Sequence, residues 1–146
     1  MNVWVLPSSA KKAVVACVAA ILVLTVLEFP PPIGFETRPQ ADVSPLWFVL
    51  FVAIVAIEIA VIPLIYKRPR LGAEIGILAA GLNVIQVVAD QAHLMQPEVA
   101  PLGYSLLELA VVAASFALAY FSWIVIESER RAPKVLTKPS SLPVQK

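Results

Sequence analysis

Four long apolar stretches follow one another along the chain, at about residues 13–29, 45–66, 71–95 and 102–126, separated by short polar segments. Each reaches the roughly 17–25 residues that a helix needs to cross a bilayer. A sheet reading fails on length, because a strand runs to about 5–6 residues and none of these stretches alternates strictly. The pattern predicts an all-α polytopic membrane protein built as a four-transmembrane-helix bundle. Pro30, Pro31 and Pro32 close the first span, since proline cannot continue a helix. Pro45 falls at the first turn of the second, where a missing N–H costs nothing, and Pro63 is expected to kink that span near its far end.

Composition agrees with the pattern. The chain has 146 residues, 60% of them hydrophobic and 14% charged, against about 25% charged in a soluble domain. Lipid is the expected solvent. No basic helix and no basic run interleaved with aromatics is present, so nucleic acid is not an expected partner. The single cysteine, Cys17, excludes an intrachain disulfide and a cysteine-based zinc site. The first stretch follows Lys11 and Lys12 as a signal peptide would. It ends in Leu27-Glu28-Phe29-Pro30 with no small-x-small cleavage pattern, so it reads as a retained span. Residues 1–131 therefore form the membrane domain, and 132–146, rich in Pro, Ser and Lys, read as a solvated extension.

The basic residues predict an orientation. Lys11 and Lys12 precede span one, Lys67, Arg68 and Arg70 fill the turn between spans two and three, and Arg130, Arg131, Lys134 and Lys138 follow span four. The other two connections hold Arg38 as their one base, beside Glu36, Asp42 and Glu98. The positive-inside rule then places both termini and the middle turn in the cytoplasm, N-in and C-in. A prokaryotic plasma membrane is the expected location. The proline-rich connection after span one is expected to be stiff and partly polyproline II, lying over the bundle mouth or against a neighbour.

Polar side chains at membrane depth carry the functional signal, because a central charge costs at least ~2.5–3.5 kcal/mol on insertion scales. Asn83, Gln86, Asp90 and His93 fall on one stripe of span three. Gly72, Gly76 and Ala80 continue that face as a small-xxx-small ridge that lets another helix approach closely. Tyr104, Glu108, Ser115 and Ser122 share a face of span four at heptad spacing. Asp90, His93 and Glu108 are expected to meet, with Gln86, Asn83 and Ser115 below them. Gln91 lies off the stripe, and Glu28 sits at the boundary of span one.

Two carboxylates at one depth in low dielectric cannot both stay charged, so one holds a proton or both share a cation. Asp90 and His93, at i and i+3, would with Glu108 make a three-ligand metal set, loosely like the carboxylate and Glu-x-x-His pattern of di-iron bundles. A bis-His haem is excluded within the chain, whose one histidine is His93. The plain alternative is that these groups serve as interhelical glue, at about 0.6 kcal/mol per contact. Glu58 lies deep in span two, opposite the small face of Ala53, Ala56 and Ala60 and among Trp47, Phe51, Ile54 and Ile62. Either it points outward to another chain or the bulky face is inward and Glu58 joins Asn83. Glu74 is expected to pair with the basic turn.

The chain holds no nucleotide loop, Ser/His/Asp set, cysteine pair or Arg/Lys array. The leading expectation is a non-catalytic accessory subunit of a larger membrane complex, such as a respiratory or other redox complex, with other membrane subunits or further copies as partners. The second is a stand-alone protein with a polar small-ligand, quinone or metal site between spans three and four. The third is proton or cation transport through an oligomer.

Overall fold

The computed structural model describes residues 7–39 and 44–131. It is all-helical, with α1 at Pro7–Leu27, α2 at Pro45–Lys67, α3 at Pro69–Gln91 and α4 at Leu102–Arg131. All four are long and apolar enough to cross a membrane. The extension at 132–146 lies outside the described residues.

The helices run up and down around a square. Each packs against its neighbour in sequence, and α1 closes the ring against α4. At one end, here the turn end, Arg68 alone separates α2 from α3, and Pro69 begins α3 where no N–H is required. Lys11 Nζ reaches Glu129 Oε1 at 3.4 Å, which brings the start of α1 and the end of α4 to this same end. Glu74 accepts from Arg70 Nε at 2.9 Å, as the spacing predicts. These pairs are solvent-facing and contribute little to stability. The opposite end carries the two longer connections and is called the loop end.

The core at the turn end is aliphatic and tightly packed. Val14, Val18 and Ile21 of α1 meet Val61 and Ile65 of α2, with Leu118 and Val125 of α4 completing the cluster. The small ridge of α3 is buried throughout, at Gly72, Gly76 and Ala80. A Cβ built on Gly76 would stand 2.7 Å from Ser122 Oγ, so α3 and α4 touch here at a distance that glycine makes possible. The buried face of α4 runs through Glu108, Val111, Ser115, Leu118, Ser122 and Val125, alternating steps of three and four as in a coiled-coil seam.

Three expected boundaries shift by four residues or more, one of them the end of α4, which runs to Arg131 instead of 126. Helix α1 begins at Pro7, before its apolar stretch, because the helix continues into the polar segment that holds Lys11. Helix α3 stops at Gln91, four residues short of the expected end. His93 takes φ 59°, and the N–H groups of His93 and Leu94 bond the carbonyls of Asp90 and Ala89, both at 2.9 Å. This is the Schellman pattern, with histidine in the left-handed position usually held by glycine.

Candidate functional site

The first connection builds the roof of the site. Rather than extending as polyproline II, Pro30 to Gly34 form turns, with Ile33 and Gly34 both donating to the Pro30 carbonyl at 3.2 and 3.3 Å. Phe35 N–H then bonds Leu27 O at 2.9 Å and Glu36 N–H bonds Phe29 O at 3.3 Å, folding the strand of chain back over the end of α1. A Cβ on Gly34 would lie 2.0 Å from Leu27 O and 2.2 Å from Phe29 O, so only glycine allows this return. Its effect is to carry Glu36 and Arg38 over the mouth of the bundle, where both are buried.

Arg38 ties the loop end together. Its Nη2 donates to Glu36 Oε2 and to Asp90 Oδ2, each at 2.7 Å, while Nη1 donates to Asp90 Oδ1 at 3.2 Å and to the Glu98 carbonyl at 3.4 Å. The guanidinium also lies 4.8 Å from the centre of the Tyr104 ring. Burial disfavours its charge, but the hydrogen bonds and charges of Glu36 and Asp90 outweigh that cost and raise its pKa above the ordinary value. Trp47 adds a second tie, donating from Nε1 to Leu94 O at 3.0 Å.

Below this roof the polar side chains descend in a column. Glu108 accepts a short hydrogen bond from Gln91 Nε2, which also donates to Ser105 Oγ at 3.1 Å. Deeper, Asn83 Nδ2 donates to Glu58 Oε1 at 2.6 Å. Glu58 thus points into the bundle. The bulky face of α2 is the inward one, and Ala53 and Ala56 are exposed. Glu28, one residue past α1, faces the same interior. Burial, then the negative charges of Asp90, Glu36 and Glu58, push its carboxyl up to about 8.

These groups border two adjoining cavities. A narrow one of about 30 Å³ runs between Glu28, Asp90, Tyr104 and Glu108 down to Glu58 and Asn83, with Gln86 on its wall. A wider cleft of about 160 Å³ opens between the end of α1 and the start of α2, walled by Phe29, Trp47, Phe48 and Phe51 and floored by Glu28 and Gln96. Thr25, Glu28, Phe51, Gln86, Met95 and Tyr104 are common to both. Two buried acceptors in these walls, Glu58 Oε2 and Gln96 Oε1, make no hydrogen bond among the described residues.

The predicted residues separate into two groups. Asn83, Gln86, Asp90, Glu108 and Glu58 all line the narrow cavity. His93 does not join them: the α3 cap turns it out of helical register, and it is exposed. Asp90, His93 and Glu108 therefore do not form a three-ligand set, and among the described residues no group of three or more His, Cys, Asp or Glu is placed to hold a metal ion. Ser115 is buried lower in the seam of α4, with no hydrogen bond from its hydroxyl. Arg38, Glu36 and Gln96 are the residues that sequence reasoning missed, and Glu28 and Gln91 are the ones it set aside. Charge balance held the clue to Arg38. A buried Asp90 with no basic residue on any span requires a cation from a connection, and Arg38 is the one base the two loop-end connections contain.

No known family model matches this chain, and neither a curated protein nor a solved structure is similar to it.

Proposed function

We propose that this chain is a membrane protein with a small-molecule site of its own, set among the loop-end halves of all four helices and able to exchange protons with its ligand. The observation that carries this is the pair of adjoining cavities, walled by side chains from α1, α2, α3 and α4 and holding two buried acceptors with no partner among the described residues. Packing glue would pair such groups with one another, since an unmade hydrogen bond costs about 1–3 kcal/mol when buried. Glu28, whose carboxyl burial pushes up to about 8, is suited to pass a proton to or from a bound molecule near neutral pH.

The site is wider than one between spans three and four, because Thr25, Phe51 and Glu58 contribute walls from α1 and α2. The positive-inside rule puts the turn end and both termini in the cytoplasm and the mouth of the cleft on the far side. The accessory-subunit reading drew part of its support from an outward Glu58, and Glu58 bonded to Asn83 has no need of a partner from another chain. Transport through the bundle finds little support either, because the aliphatic cluster of Val61, Ile65, Leu118 and Val125 fills the turn end.

Native mass spectrometry after gentle extraction tests the proposal. The expected result is this chain, alone or with copies of itself, carrying a small molecule in stoichiometric amount. Unrelated subunits in fixed ratio, with no small molecule retained, would overturn it.

A further inference from the structure

We propose that the wider cleft binds an organic cation, a protonated amine with an apolar body of about the size of one aromatic ring. The inference rests on the cleft being a ligand site and adds the chemistry of what fills it.

Three independent features converge on this class. The first is the sign of the walls. Among the described residues neither cavity is lined by a lysine, arginine or histidine, whereas the wider cleft carries Glu28 and Glu36. Arg38 balances one charge of the Glu36 and Asp90 pair in the roof, which leaves Glu28 as the carboxyl of the cleft free to meet a cation. A cation beside Glu28 favours its ionised form, so the amine binds as this carboxyl gives up its proton. The second is an unmatched acceptor. Gln96 is 8% exposed, and its Oε1 accepts no hydrogen bond among the described residues. It calls for a donor, and an ammonium supplies up to three donors and accepts none. The third is the aromatic wall. Phe29, Trp47, Phe48 and Phe51 line the cleft, and ring faces attract a cation while sheltering the apolar body attached to it. A bare metal ion finds no suitable ligand group among the described residues. The volume of about 160 Å³ is close to that of a cavity of about 150 Å³ that takes a benzene ring.

The test uses the full chain in lipid nanodiscs with three probes of nearly one shape. These are phenethylammonium, its neutral analogue 2-phenylethanol and its anionic analogue phenylacetate, each compared with empty nanodiscs. Saturable binding of phenethylammonium above the other two is expected. Glu28→Gln, which removes one carboxylate at nearly constant shape, should weaken the amine about tenfold or more and affect the alcohol much less. Gln96→Met removes the free acceptor from the lining of the cleft. It should weaken the amine in the same direction, and it decides the matter if Glu28→Gln loses a cooperative melt. Preference for the alcohol or the carboxylate overturns the cation assignment and leaves the cleft standing as a ligand site. Amine binding indifferent to both variants also overturns it, since the amine would then sit elsewhere. Absence of saturable binding by any of the three overturns both the cation assignment and the ligand-site proposal.

Discussion

Arg38 and Asp90, 52 positions apart in the chain, meet as a two-pronged ion pair at 3.2 and 2.7 Å in the buried roof of the bundle. The guanidinium fork matches the carboxylate edge to edge, and Glu36 and the Tyr104 ring hold it from the other sides. One side chain thus joins both loop-end connections to α3 and α4.

Removing one partner of a buried pair leaves the other uncompensated, at a cost of about 3–5 kcal/mol. Arg38→Ala and Asp90→Asn should each destabilise the protein by that order, as read from unfolding in mixed detergent micelles. Arg38→Lys should recover little, because an ammonium cannot span both carboxylate oxygens and Glu36 together. The double replacement Arg38→Met with Asp90→Leu should cost less than the sum of its parts.

The buried Glu58 and Asn83 predict an asymmetry. Asn83→Leu takes the donor from a buried carboxyl and should cost about 1–3 kcal/mol. Glu58→Gln keeps the shape and an acceptor for Asn83 Nδ2, and should fall within about 1 kcal/mol of the parent. A thermal-melt series on both variants checks the order. Equal losses would mean that Asn83 does not donate to Glu58.

How far the sequence foretold this arrangement depends on the physics behind each feature. Length and apolarity alone decide that a segment can cross a membrane, so four helices were legible from the pattern of residues. The stripe of Asn83, Gln86 and Asp90 followed from helical periodicity, which held through all three. It failed at His93 because periodicity says nothing about where a helix stops, and a left-handed cap occupied by histidine carries no glycine signal. Arg38 and Glu36 were counted as loop charges because their burial comes from the return of the chain at Gly34, a tertiary contact that local pattern does not encode. Glu58 could be read either way until the neighbouring helix fixed which face of α2 was inward.

Close contact of α3 with α4 makes a third prediction. Gly76→Ala places a methyl 2.7 Å from Ser122 Oγ and should cost about 1 kcal/mol. The Ser122 Cβ would stand 3.7 Å away, an ordinary contact. Adding Ser122→Ala should therefore restore most of the loss, and a double-mutant cycle measures the coupling.

Glu28 predicts a pH dependence with a definite sign. Its folded pKa of about 8 lies above the ordinary 4.5, so between these values the folded state binds the proton more tightly than the unfolded chain. This contribution to stability is complete below about pH 4.5, declines as pH rises and is gone above about pH 8. Asp90, Glu36 and Glu58 act on Glu28 in that direction, while Arg38, bound to Glu36 and Asp90, offsets part of their charge. The stability difference between the parent and Glu28→Gln, followed from pH 5 to 9, should shrink or reverse as pH rises. A constant difference would place Glu28 in contact with solvent.

The most direct measurement is an experimental density map of the full chain in lipid nanodiscs, resolved well enough to see side chains around the cleft. Density for a small molecule between the Phe48 and Phe51 rings, within hydrogen-bond reach of Glu28 and Gln96, is the predicted result. A cleft closed by its own side chains, with Gln96 Oε1 and Glu58 Oε2 accepting hydrogen bonds from donors of the protein, would contradict it.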